Sequence, residues 1–259
     1  MSESARELAE AYLANLDRAV AEYRLRNTAS GTLIVSSDAA RELLPGYSNP
    51  AERLRNNYSL GAASSKLAAA VWEDAIARGP EPSRPGLEFL TGCPGSGKTL
   101  SLASLEEHTL PYGIVSEAMM DNVQLSADRI QQAMRAGFKP VLRLVYTADP
   151  ATNVRRAVLR AMEFGRPVRI VQMARLYVDV PRTVRDLALC FSKQVGLFVQ
   201  QNSLDGQPAQ RSTLEEALVL TGAYTVSAAT EVMIHELEEL CRVGEASPEI
   251  DQAFRSSLG

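Results

Sequence analysis

The chain has 259 residues, 46% of them hydrophobic and 22% charged, with a net charge of −4, which suits a globular protein with a sizeable core and argues against broad electrostatic binding to nucleic acid. No apolar run approaches the roughly 18 residues that a membrane-spanning helix requires, and the opening "MSESARELAEAY" lacks the positive and apolar regions of a secretory leader. Three scattered cysteines, Cys93, Cys190 and Cys241, fit neither a disulfide framework nor a zinc site and point to a reducing, cytoplasmic setting.

In chain order, residues 4–26 place Leu8, Tyr12, Leu16, Val20 and Tyr23 at helical spacing, which predicts one amphipathic N-terminal helix. "GTLIVSS" predicts a short buried strand, and "DAARELL" a helix opened by Ser36, Ser37 or Asp38. A helix is expected over 64–78, followed by a Pro- and Gly-rich connector, "GPEPSRPG". "LEFLT" is a strand that runs into "TGCPGSGKTL". "YGIVSEAM" is a further strand, "SADRIQQAMRAG" a helix stopped at Gly137, and "KPVLRLVYT" a third apolar run. A long helical region begins at Asp149 and is interrupted at "FGRPV", "VGLFVQQNS" is a late strand, and the chain from Thr213 onward is helical. Strands alternating with helices predict an α/β fold, a parallel sheet covered by helices on both faces, with extra helices at both termini. The expected organisation is one domain: an N-terminal helix over 1–30, a core over 31–205 and a helical extension over 206–259.

The stretch from Gly92 to Thr99 fits the pattern G-x-x-x-x-G-K-[ST]. It lies between a strand and a helix, as a phosphate cradle must: amides at a helix N-terminus face anionic oxygens, and the helix dipole favours the same charge. The expected nucleotide-binding set is Gly92, Pro94, Gly95, Ser96, Gly97, Lys98, Thr99 and Leu100. Lys98 reaches for the β- and γ-phosphates of ATP, and the Thr99 hydroxyl for Mg²⁺. Cys93 reads as a small residue filling a loop position. Between Arg155 and Arg185 stand eight arginines against Glu163 and Asp179 alone, a bias suited to anion handling or to a solvated helix face.

Several segments together resemble the zeta toxins, P-loop kinases similar to polynucleotide kinases: "VSSDAARELLPGY", "GCPGSGKT", "IVSEAMMDN", "IQQAMRAGFKPVLRLVYTADP", "RAVLRAMEFGRPV" and "VQQNS". The resemblance runs from about Thr32 to Asn202. One departure stands out: in the better-known zeta toxins the aspartate strand follows the phosphate loop, whereas here its likeness precedes it. A rearranged chain can build the same site because sheet neighbours need not be sequence neighbours.

The resemblance implies a P-loop kinase fold and an ATP- and Mg²⁺-dependent kinase acting on a hydroxyl of a small, nucleotide-linked metabolite such as a UDP-sugar. It also implies a toxin or related effector, with an antitoxin protein as partner. Asp38 is then the candidate base, while capping of its own helix is the structural alternative. Arg41, one turn on, holds an acceptor phosphate or pairs with Glu42 or another acid. Glu117 is a strand-end acid facing the substrate, or an ordinary strand-end residue. Arg160 and Arg166 approach the γ-phosphate, with Arg155, Arg156 and Arg169 solvated. Asn202 lies near adenine. The N-terminal helix packs on the sheet or covers the nucleotide site. His108 and His235 are structural or surface residues, and Trp72 belongs to the core. A polynucleotide 5′-kinase and a nucleotide-binding module without catalysis are the competing readings; neither nucleic acid nor a membrane is expected as a partner.

Overall fold

A computed structural model describes residues 4–99, 111–202 and 209–256. Leu100 and His108 lie outside the described residues. A seven-stranded sheet of order β1-β2-β4-β3-β5-β6-β7 organises the chain. Its members are β1 (Thr28–Ala29), β2 (Thr32–Val35), β3 (Gly86–Thr91), β4 (Tyr112–Glu117), β5 (Lys139–Tyr146), β6 (Gly196–Gln201) and β7 (Gln210–Ser212). The strands from β2 to β6 are mutually parallel, and β1 and β7 close the two edges antiparallel. The short edge strands were not expected from the sequence, because two or three residues carry no periodicity.

β3 is buried throughout, as the centre of a parallel sheet requires. Leu87 and Phe89 share a core with Leu33, Val35, Ile114 and Leu142, against residues of α2 (Leu16–Asn27), α5 (Gly61–Arg78), α6 (Val123–Arg135) and α8 (Ile170–Phe191). Trp72 is part of this core. Leu90, Val115, Val141 and Val145 form a second buried cluster. Among them, Glu88 and Arg143 on neighbouring strands make a bidentate ion pair at 2.7 and 3.1 Å. α7 (Pro150–Phe164), α8, α10 (Val226–Arg242) and α11 (Pro248–Arg255) build a third cluster that includes Cys93.

The N-terminal segment departs from the single helix expected. It forms α1 (Ala5–Tyr12) and α2, separated because the Asn15 side chain accepts from the Arg18 amide and starts a new helix. These helices pack against α5 and β2 rather than over the phosphate loop, so the covering role is not realised. Tyr23 of α2 is fully buried; its hydroxyl donates to Ile34 O at 2.9 Å and accepts from the Ser36 amide at 2.9 Å. α2 thereby fixes the turn that follows β2. α3 (Ser37–Arg41) starts there, capped by Ser36, and α4 (Pro50–Asn56), unforeseen in the sequence, leads into α5.

Chain order and sheet order differ in a way that positions the site. β2 precedes β3 in sequence, yet pairs not with it but with β4, in the register Leu33↔Ile114 to Val35↔Ser116. Because β2, β4 and β3 run parallel, the turn bearing Asp38, the end of β4 at Glu117 and the loop after Thr91 all emerge at one edge. In open α/β sheets this carboxyl edge is where ligands bind.

Candidate active site

The loop after β3 is shaped by glycines with no room for a side chain. Gly92, Gly95 and Gly97 have φ of 145, 81 and 90°. A Cβ at Gly95 would lie 2.2 Å from Asn153 O, and one at Gly97 2.4 Å from Asn202 Nδ2. Two carboxamides grip the loop from beneath: Asn153 donates to Pro94 O at 3.0 Å and Asn202 to Ser96 O at 2.6 Å. Helical residues begin at Lys98, and Thr99 is exposed in that first turn. Lys98 Nζ donates to Gly92 O at 2.8 Å and Cys93 O at 3.1 Å, which holds the ammonium across the loop. Ser96 Oγ is buried with no hydrogen-bond partner among the described residues. A tight glycine turn, a lysine folded over it and an orphaned hydroxyl fit a phosphate chain and its cation.

Burial pushes the Lys98 ammonium below its ordinary value, Arg160 adds to that push, and Glu117, Cys93 and Asp38 oppose it. The lysine of the loop therefore shares one electrostatic environment with the carboxylates at the ends of β2 and β4. Asp38 is 37% exposed, ion-paired to Arg160 of α7 and 3.4 Å from Arg41. Burial alone would raise its pKa, but Arg160 first and Arg41 second outweigh burial and hold it below the usual carboxylate range. Asp38 is thus fully ionised at neutral pH, with an arginine resting on it.

Other placements differ from expectation. Arg41 is only 13% exposed and donates to Asn57 Oδ1 at 2.9 Å and to Ser64 Oγ at 3.3 Å. Its Nη1 and Nη2 are engaged inside the protein, its Nε is buried without a hydrogen-bond partner among the described residues, and the acid it pairs with is Asp38 rather than Glu42. Glu42 instead receives Arg53 at 2.5 Å and also Arg166. Arg166 is thereby tied to the end of α3, and its charge also acts on Asp38.

Arg156, expected to be solvated, brings Nη1 to 3.4 Å from Gly95 O and 3.5 Å from Ser96 O. Arg155 turns the opposite way to Glu236. Arg169 is not solvated either: its guanidinium stacks 4.4 Å from the Tyr58 ring centroid and its Nε is buried. Asn202 supports the loop, its amide donating to Ser96 O. Cys93 fills its position as expected, buried, with its Sγ donating to Met173 O at 3.4 Å and burial pushing the thiol up to about 12.

Sequence reading missed Arg156, Asn153 and Tyr23. For Arg156 a signal existed: it precedes Arg160 by four residues, so both lie on one face of α7, while Arg155 is rotated away from it. Asn153 and Tyr23 act through backbone carbonyls and amides of distant segments, which no local pattern announces.

Architecture and loop together define an α/β protein with a P-loop kinase-like fold. No family model matches the sequence, and no curated protein matches it. Among solved structures, the chain is similar to one from the PezAT chromosomal toxin–antitoxin system of Streptococcus pneumoniae, over 87% of this chain and 82% of that chain, at 14% identity and a TM-score of 0.41. No single helix among the described residues is long and apolar enough to cross a membrane.

Proposed function

We propose that the protein is a Mg·ATP-dependent kinase that phosphorylates a hydroxyl of a small, nucleotide-linked metabolite such as a UDP-sugar, and that it works as a toxin-like effector in the cytoplasm, held in check by a partner protein. One observation carries the reading: Asp38, Glu117 and Arg160, from three separate segments, all act on the charge of Lys98 in the loop, and Asp38 and Arg160 are themselves ion-paired.

In this reading the acceptor hydroxyl lies against Asp38. Its oxygen attacks the γ-phosphorus of ATP while Asp38 takes the proton, the bond to the β–γ bridging oxygen breaks, and ADP leaves. Lys98 holds the β- and γ-phosphates. The Thr99 hydroxyl would hold Mg²⁺, which when bound would supply positive charge against the phosphate oxygens. Arg156 stands at the loop and Arg160 one turn further along α7. Arg160 moves from Asp38 to the incoming γ-phosphate and thereby frees the base as the donor arrives. Glu117 orients the acceptor hydroxyl, and Arg166 holds α3 in place through Glu42.

The test is incubation with ATP, Mg²⁺ and a metabolite panel that includes UDP-sugars and NAD. Wild type forms a phosphorylated product. Lys98→Ala loses nucleotide turnover, and Asp38→Ala keeps ATP binding but loses product. Full activity in Asp38→Ala removes Asp38 as the base.

A further inference from the structure

A cavity of about 730 Å³ opens between α5 and α6 over the ends of β2 and β4. Small-molecule sites fall in roughly this range, 300–1,000 Å³. Its space comes from α5, which presents Ser65, Ala68 and Ala69 towards α6. Its floor reaches Glu117, and the Ser36–Ser37 turn that opens the Asp38 helix also lines it. The cavity therefore borders the turn that precedes Asp38 and the strand end that carries Glu117.

One wall carries a charge that nothing in the fold explains. The Arg129 guanidinium lies 5.5 Å from the centroid of the Trp72 ring, and the indole N–H of Trp72 donates to Gln132 Oε1 at 3.0 Å, which fixes the ring. Burial pulls Arg129 below its ordinary value, and no carboxylate counters that pull. Arg129 makes no ion pair among the described residues. A half-buried guanidinium resting on an indole alone is costly, and its planar fork suits a carboxylate or a phosphodiester. Of the four acids lining the same cavity, Asp121 is paired with Arg175, Glu117 is half-buried at the floor, and Glu73 and Asp128 are exposed. These acids disfavour a ligand with a dense negative charge.

We infer that this groove is the acceptor site and that Arg129 binds an anionic group, carboxylate or phosphodiester, at the end of the acceptor remote from the hydroxyl that is phosphorylated. The inference rests on the kinase reading for the word acceptor, but not for the binding itself. It extends the site from the sheet edge to a wall that neither the loop nor the arginine segment touches.

Calorimetric titration of the Lys98→Ala protein, whose loop no longer competes for anions, tests it with paired probes. The anomeric methyl phosphodiester of N-acetylglucosamine is compared with the methyl glycoside of N-acetylglucosamine for the phosphodiester, and glucuronate with glucose for the carboxylate. In at least one pair the anionic member binds about 10-fold tighter than its neutral twin, the size of one charge-assisted hydrogen bond. Adding Arg129→Ala removes that preference, and Arg129→Lys keeps part of it. Ala69→Phe, which fills the groove, abolishes binding of both members. Equal affinities within both pairs, a preference that survives Arg129→Ala, or no saturable binding by any probe overturns the inference. In otherwise wild-type protein, Arg129→Ala raises the acceptor KM and leaves the ATP KM alone. Anion-dependent binding without phosphorylation defeats the kinase reading and leaves the groove assignment standing. Phosphorylation with an unchanged acceptor KM in Arg129→Ala does the reverse.

Discussion

Two arginine–carboxylate pairs show what burial does to the same chemistry. Glu88 and Arg143 lie across neighbouring strands in the middle of the sheet, 0% and 5% exposed, joined by two parallel hydrogen bonds, with the Phe198 ring 5.7 Å from the guanidinium. Asp38 and Arg160 meet at the sheet edge, 37% and 35% exposed, in a single contact. The inner pair is closed in by strand register and can only be kept or broken. The outer pair joins two elements separated in sequence, and solvent or a ligand can compete for either partner. An enclosed pair fixes the fold, whereas an open pair can exchange partners, as phosphotransfer demands.

The comparison breaks hardest under Asp38→Ala. On the kinase reading, loss of the base lowers kcat by about 10²–10⁴-fold, measured as phosphorylated product at saturating ATP, with a loss of stability smaller than that of Glu88→Ala. Glu88→Ala does the opposite. It removes the bidentate carboxylate from the buried Arg143 and costs about 3–5 kcal/mol of stability, measured by urea unfolding. Equal loss of activity and stability in both variants would erase the distinction between the pairs.

Arg156→Ala comes next. A side chain at the loop that touches the transferring phosphate contributes roughly 10²–10³-fold to kcat, so this variant falls well below wild type while Arg155→Ala stays near it.

A finer effect is in pH. Arg160 is the first of the groups that lower the Asp38 pKa, so Arg160→Ala moves the acid limb of kcat/KM to higher pH. The stability effect has the matching sign. An Asp38 held below its unfolded value stabilises the fold at neutral pH, and that contribution is lost as pH falls through the folded value. Without Arg160, the acid-side loss becomes shallower. The smallest effect belongs to Asn202→Ala, which removes one donor from Ser96 O: the ATP KM rises by about 10-fold, the size of one buried hydrogen bond, with kcat nearly constant.

Much of this was legible in the sequence, for identifiable reasons. The loop announced itself because glycine and lysine spacing is a backbone requirement, and the central strands because buried parallel strands read as apolar runs. Asp38 and Glu117 were found because each ends such a run. The side chains of α7 were read less well. Arg160 and Arg166 were expected at the phosphate, yet the first rests on Asp38 and the second on Glu42, while Arg156 faces the loop. Sequence gives the charge of a helix, but its rotation about its axis is set by packing, here by Val154, Ala157, Val158 and Ala161 turned into the core. The groove at Arg129 was invisible because it depends on what two helices leave empty between them.

The position of β2 before β3 in the chain bears on biosynthesis. Its parallel partner β4 lies about 80 residues downstream, and Asp38 and Arg160 are 122 residues apart. On a ribosome the carboxylate emerges first and stays without a sheet to sit on until the later strands follow, since domains close only when their distant contacts are available. On the kinase reading, a nascent or truncated chain ending before α7 lacks the Asp38–Arg160 pair and is inert.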